Sequence, residues 1–311
     1  MMKKQKVIFI VGPTASGKTA LGIEIAKRFG GEVISADSMQ IYKGIHIASA
    51  APDEAEKEGI PHHLIEFLER TDIFSVADYV KKAREVINDI TLRGKLPIVV
   101  GGTGLYISSL VDNTEYMEEK TDFVLRNEIE KEFDDKGAEE MLKLLSQIDP
   151  ETAKRLHPND RRRIVRAFEI YRLTGKTITE QNILSHKNES NIEPLLLGIT
   201  YNDREKLYEK INLRVDLMLS KGLLKEAEET FSQSDNKGAF QAIGHKELYP
   251  YFEGNISLEE AAELLKQQTR RYAKRQLTWF RRDTRINWLY PDLTNDVFSE
   301  AENYVREFLK E

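Results

Sequence analysis

The run Val7-Ile8-Phe9-Ile10-Val11-Gly12-Pro13-Thr14-Ala15-Ser16-Gly17-Lys18-Thr19 decides the fold. Its last eight residues match the phosphate-cradling pattern GxxxxGKT at every fixed position. The five apolar residues before them read as a buried parallel strand. Beyond them Leu21, Ile25 and Phe29 recur at helical spacing until Gly30-Gly31 stops the helix. Strand, glycine loop and helix together are the setting that separates a phosphate loop from a chance glycine turn. Gly12 and Gly17 let backbone N–H groups of Thr14, Ala15 and Ser16 converge on phosphate oxygens, and the helix N-terminus adds its positive end. Lys18 supplies a point charge, and the Thr19 hydroxyl can ligate Mg²⁺. The chain is therefore expected to bind a di- or triphosphate. What it does with it must be read elsewhere.

At 311 residues the chain suits one large α/β domain plus a smaller one. Charged residues at 32% and hydrophobic ones at 40% describe an ordinary soluble protein. No apolar run approaches ~20 residues, so no membrane partner is expected. Lys3 and Lys4 precede a short strand that leads straight into the phosphate loop, which is not a signal-peptide pattern. Zero cysteines exclude disulfides, thiolate zinc sites and cysteine nucleophiles, and fit a cytoplasmic location. The net charge of −6 argues against nucleic acid as a partner, but a net figure hides local patches.

Val33-Ile34-Ser35-Ala36 reads as a second strand ending at Asp37-Ser38-Met39-Gln40. Ligands of open α/β sheets sit beyond the carboxyl ends of strands, so Asp37 is expected to face the phosphate loop. A turn-forming or helix-capping Asp is the alternative. His62-His63 lacks a partner at metal-ligand spacing and reads as structural. Ser75 to Arg93 is an amphipathic helix. Leu96-Pro97-Ile98-Val99-Val100 is another buried strand, and Gly101-Gly102-Thr103-Gly104 after it implies a second close approach of backbone to ligand. No acidic residue ends that strand, which counts against an ATPase motor.

From about residue 113 to 193 the pattern turns helical, with Phe123 to Phe133, Ala138 to Ile148 and Asp160 to Leu173. Lys154, Arg155, Arg161, Arg162, Arg163 and Arg166 form a basic cluster there, opposite Ile164, Ala167, Phe168 and Tyr171. Leu195 to Ile199 returns the chain to the sheet, and Arg204 to Met218 is a helix carrying Arg214. Ser257 opens a long helix. From Lys266 to Arg285 there are eight basic residues against one acid, Asp283, with Trp279 and Phe280 interleaved. One such run is a solvated face; two arginine clusters beside one phosphate loop point to a polyanion. The expected architecture is an α/β P-loop core of parallel strands flanked by helices, residues 1–115 and 194–311, with an all-helical insertion at 116–193.

Gly12 to Thr19, Asp37-Ser38-Met39-Gln40-Ile41-Tyr42, Val100-Gly101-Gly102-Thr103 and Lys274-Arg275-Gln276-Leu277-Thr278-Trp279-Phe280-Arg281 together resemble the bacterial tRNA dimethylallyltransferases. The likeness runs through nearly the whole chain in order, including His157-Pro158-Asn159-Asp160 in the insertion. With no cysteine there is no appended zinc finger, so the resemblance is to the shorter bacterial form.

The resemblance implies that dimethylallyl diphosphate gives its five-carbon group to the exocyclic amine of the adenosine 3′ of the tRNA anticodon. By the same likeness, Thr103 bonds the bridging oxygen and Arg214 contacts the diphosphate. Asp37 takes the amine proton, and Ser38, Met39 and Gln40 line the adenine pocket. Arg126, Arg162, Ile164, Val165, Arg163 and Arg166 are implied tRNA contacts. So are Gln241, Ala242, Ile243, Gly244, His245, Lys246 and the stretch Lys274 to Arg281. Gln241 and Lys246 stand where some relatives carry arginine. Mg²⁺ is the expected cofactor, the tRNA anticodon stem-loop the macromolecular partner, and a monomer the expected state. A small-molecule P-loop kinase and prenylation of free adenine nucleotides are the competing readings.

Overall fold

Apolar runs with no polar alternation have to be covered on both faces, and helices do this here. The computed structural model describes residues 4–116, 122–185, 190–232, 240, 242–294 and 296–310. Six strands, β1 (Gln5–Val11), β2 (Gly31–Ser35), β3 (His62–His63), β4 (Leu96–Gly101), β5 (Ile192–Ile199) and β6 (Asn287–Leu289), form one sheet. Their order is β3-β2-β4-β1-β5-β6, and every neighbouring pair is parallel. The chain divides into two compact units, Met1–Val111 with Ser190–Glu311, and Asp112–Glu189.

In chain order the first unit carries α1 (Lys18–Phe29), α2 (His46–Ser49), α3 (Glu54–Lys57), α4 (Val76–Leu92) and α5 (Gly104–Val111). The second carries α6 (Phe123–Lys136), α7 (Ala138–Ile148), α8 (Pro150–Arg155), α9 (Arg161–Thr174) and α10 (Ile178–Ser185). The first unit resumes with α11 (Arg204–Ser220), α12 (Leu223–Phe231), α13 (Tyr249–Phe252), α14 (Leu258–Phe280) and α15 (Val297–Leu309). The return to the sheet begins at Ile192, three residues before the apolar run suggests, because Ile192 already registers with Gln5 of β1.

Local signals set the helix ends. Gly30 closes α1 in the left-handed conformation (φ 63°), which costs glycine little. Ser75 and Ser257 open α4 and α14 with reciprocal capping boxes to Asp78 and Glu260. One face of the sheet is sealed by Leu21, Ile25 and Ala26 of α1 and by Ala301 and Val305 of α15. Beside β2, the rings of Tyr79 and Tyr106 stack at 3.9 Å, and the Tyr79 hydroxyl donates to Ser35 O at 3.1 Å. Of the histidine pair, His63 is tied into the fold as expected: its Nε2 meets Glu32 Oε2 at 2.7 Å, and Arg93 Nη2 lies 2.8 Å from the same oxygen. His62 instead borders the cavity described below.

The second unit has its own core, built from Ile129, Phe133, Met141, Leu145, Ile164, Val165 and Phe168. Tyr171, read from the spacing as part of that apolar side, is 37% exposed instead. Glu169 is wholly buried under α9, with Arg166 Nη1 at 3.0 Å and Arg126 Nη1 at 4.0 Å.

Candidate active site

Because β1, β2 and β4 run parallel side by side, their carboxyl ends bring three loops to one edge. The phosphate loop follows β1, Asp37 follows β2, and the glycine turn follows β4. Gly12 (φ 149°) passes so close to β5 that a Cβ there would lie 2.2 Å from Ile199 O. Only glycine fits that approach. Ala15 holds a left-handed φ of 63°. Lys18 Nζ folds back onto Pro13 O at 2.6 Å.

A single cavity of about 280 Å³ joins these loops. Thr14, Lys18, Thr19 and Arg214 line one part of it, and Asp37, Ser38, Met39 and Gln40 another. Both earlier readings of Asp37 hold at once. Its Oδ1 accepts the Met39 N–H at 2.8 Å, forming the turn, and its side chain lines the cavity. Oδ2 accepts no hydrogen bond from the described residues. Burial pushes the Lys18 ammonium down to about 7, with Arg214 adding to the effect and Asp37 opposing it. Burial also lowers the Arg214 guanidinium, again opposed by Asp37.

Other expected site residues stand in or beside the same loops. Gly12, Ala15, Ser16, Gly17 and Thr103 do not line the cavity. Thr103 Oγ1 accepts the Ser38 N–H at 3.0 Å, and so holds the Asp37 loop. Gln40 is spent within the protein, accepting from Ser35 Oγ at 2.7 Å and donating to Ala50 O at 3.2 Å. Ile243, Lys246, Arg275 and Gln276 do line the cavity.

Several implied RNA contacts are covered. The side chains of Ile164, Val165, Ala242, His245 and Phe280 are buried, so they cannot meet RNA from where they stand, while Gln276, also buried, borders the cavity. Packing takes them: Ile164 and Val165 fill the core of the second unit, and His245 Nε2 bonds Glu226 Oε1 at 2.9 Å. Arg162, Arg163, Lys246, Lys274, Arg275, Thr278, Trp279 and Arg281 are exposed, while Arg126, Arg166 and Leu277 are half-buried. Gly244 is buried against Ala48. Gln241 lies outside the described residues.

The glycine turn has a second reason besides ligand approach, although Gly101 and Gly102 do line the cavity as expected. A Cβ on Gly101 would lie 2.2 Å from Ala36 O, one on Gly102 2.1 Å from Gln276 Nε2, and one on Gly104 2.3 Å from the Trp279 ring. Protein fills the space beside each of the three. The spacing also left out Leu265, Thr269 and Tyr272, which line the cavity from α14. Their signal was there: Leu265, Thr269, Tyr272 and Gln276 form one helical stripe at steps of four, three and four, hidden behind the louder run of arginines. Burial and the charge of Asp37 push the Tyr272 phenol above its ordinary value.

The IPP transferase family model matches residues 40–283. The chain belongs to the IPP transferase family. It is 50% identical to the tRNA dimethylallyltransferase of Acetivibrio thermocellus over 302 residues, covering 96% of this chain and 95% of that one. The crystal structure of a tRNA isopentenylpyrophosphate transferase from Bacillus halodurans superposes with a TM-score of 0.74 at 41% identity, covering 99% of this chain and 97% of that one. A eukaryotic dimethylallyltransferase captured acting on tRNA gives 0.83 at 33% identity, covering 97% of this chain and 80% of that one. Those IPP transferase structures share this chain's P-loop α/β fold.

Proposed function

We infer that this chain transfers a dimethylallyl group from dimethylallyl diphosphate to the exocyclic amine of the adenosine 3′ of the anticodon in tRNA. The observation that carries the reading is the shared cavity, with Lys18, Thr19 and Arg214 against Asp37 and Ser38. The amine nitrogen bonds the prenyl carbon as the carbon–oxygen bond breaks. The bond pair leaves on the diphosphate, and the amine proton passes to Asp37. An exocyclic amine is a weak nucleophile, so a carboxylate with a free oxygen at hydrogen-bond reach suits it. Charge grows on the leaving group, where Lys18 and Arg214 stabilise it most in the transition state. Val33, Ile65, Val215, Met218 and Leu265 give the cavity an apolar part suited to a five-carbon chain.

Among the described residues no group of three His, Cys, Asp or Glu could hold a metal ion by itself. Thr19 lines the cavity beside Lys18, so Mg²⁺ would fit as an ion brought with the diphosphate, with the Thr19 hydroxyl as its protein ligand. When bound it would help neutralise the leaving charge. No helix among the described residues is long and apolar enough to cross a membrane, which is compatible with work on tRNA in the cytoplasm.

Mass analysis of anticodon loops, after incubation with dimethylallyl diphosphate and unmodified tRNA, tests the reading. One added five-carbon unit on that adenosine is expected; label moving from ATP to a small acceptor, with none entering tRNA, would reject it. Arg275 is exposed and stacks on Tyr272 at 5.6 Å. Its replacement by Ala should weaken tRNA binding and lower the salt slope by about one. An unchanged slope would give Arg275 a packing role against Tyr272.

A further inference from the structure

Gln276 sits among exposed basic residues of α14, yet its own side chain is only 6% exposed. Its Oε1 accepts the Thr14 N–H of the phosphate loop at 2.9 Å. Its Nε2 donates to Gly102 O at 3.0 Å. One amide thus joins the loops after β1 and β4. The chemistry requires a group that accepts on one atom and donates on the other, which at this length glutamine does at any pH and glutamate only when protonated. Gly102 has no room for a Cβ because Gln276 Nε2 fills that space, and Trp279, three residues on, does the same over Gly104. The contacts continue inward. Thr103 N donates to Ala36 O at 3.1 Å, and Thr103 Oγ1 accepts from Ser38 N at 3.0 Å, beside Asp37.

We propose that Gln276 is a positioning residue for the transfer, registering the diphosphate cradle against the turn that holds the Asp37 loop. This rests on the transferase reading above. A helix that presents Lys274 and Arg275 outward thereby carries, on its inner face, the bond that sets the distance between leaving group and base. RNA contact is the alternative role for the same residue.

Gln276→Ala should lower the single-turnover rate about tenfold to a hundredfold, the scale of a misplaced reacting group. The tRNA dissociation constant and its salt slope should stay near wild type. Loss of tRNA affinity with an unchanged rate at saturating tRNA would overturn the proposal. Gln276→Glu supplies a second reading. Burial and the Gly102 carbonyl favour the neutral carboxyl, whose O–H donates to Gly102 O while its C=O accepts from Thr14. Its rate relative to wild type should therefore be highest at low pH and fall as pH rises and the carboxyl ionises. A pH-independent ratio counts against the proposal. Amide hydrogen exchange at Thr14 in the ligand-free protein needs no transfer activity, so it separates this idea from the transferase reading. Faster exchange in Gln276→Ala is expected, and exchange unchanged from wild type would overturn the tie itself.

Discussion

Replacing Asp37 with Asn will stop the transfer, with a rate loss of about 10²–10⁴, while tRNA remains bound. Asparagine is the informative substitution because of the turn. Its Oδ1 can still accept the Met39 N–H that Asp37 holds at 2.8 Å, so the loop keeps its shape. What is lost is the second oxygen, which accepts nothing from the described residues and is the one free to take a proton. Thr103 and Ser38 hold that loop from the other side and are untouched by the change. Single-turnover prenylation and tRNA binding should be measured on the same preparation. A variant that transfers within about tenfold of the wild-type rate would remove Asp37 from the role of base.

Diphosphate affinity should fall as pH rises above 7, by about tenfold per unit, or about a hundredfold by pH 9. The cause is the ammonium of Lys18, held near 7 by burial and by Arg214 against the pull of Asp37. A bound diphosphate gives this group an anionic partner and raises its pKa. A group raised on binding contributes fully below its free value and loses that contribution as pH climbs through it. An organic diphosphate completes its own ionisations near 6, so above 7 the change belongs to the protein. Titration calorimetry with an unreactive diphosphate, in buffers of different ionisation enthalpy, should show uptake of about one proton near pH 8. Lys18→Met should bind weakly and show no such slope. Wild-type affinity that is flat from pH 7 to 9 would mean that Lys18 is already fully charged in the free cradle.

Both predictions concern residues legible before any fold was known, and the reason is local. The phosphate loop, the caps at Ser75 and Ser257, and the strand ends are set by neighbours within a few residues. Apolar runs without alternation imply a parallel sheet, and a parallel sheet gathers the carboxyl ends of its strands. Lys18 and Asp37 could be placed in one site on that ground. The helical second unit was readable in outline for the same reason, since periodicity reports which face is buried.

What lies across the chain was not readable. Gln276 looks like one more polar residue in an arginine-rich helix until Thr14, some 262 residues away, is brought beside it. The glycines after β4 looked like room for a ligand, and Gly101 and Gly102 do line the cavity, but only the fold shows that Ala36, Gln276 and Trp279 also press on this turn. Val165 and His245 were grouped with their basic neighbours, and only packing shows that they face inward. The sequence by itself determined the phosphate loop, the parallel sheet and the placing of Asp37 at the same sheet edge, because each follows from short-range pattern and strand direction. Only the tertiary structure decided which residues touch the cavity and which merely hold its walls, because those distances depend on where remote helices come to rest.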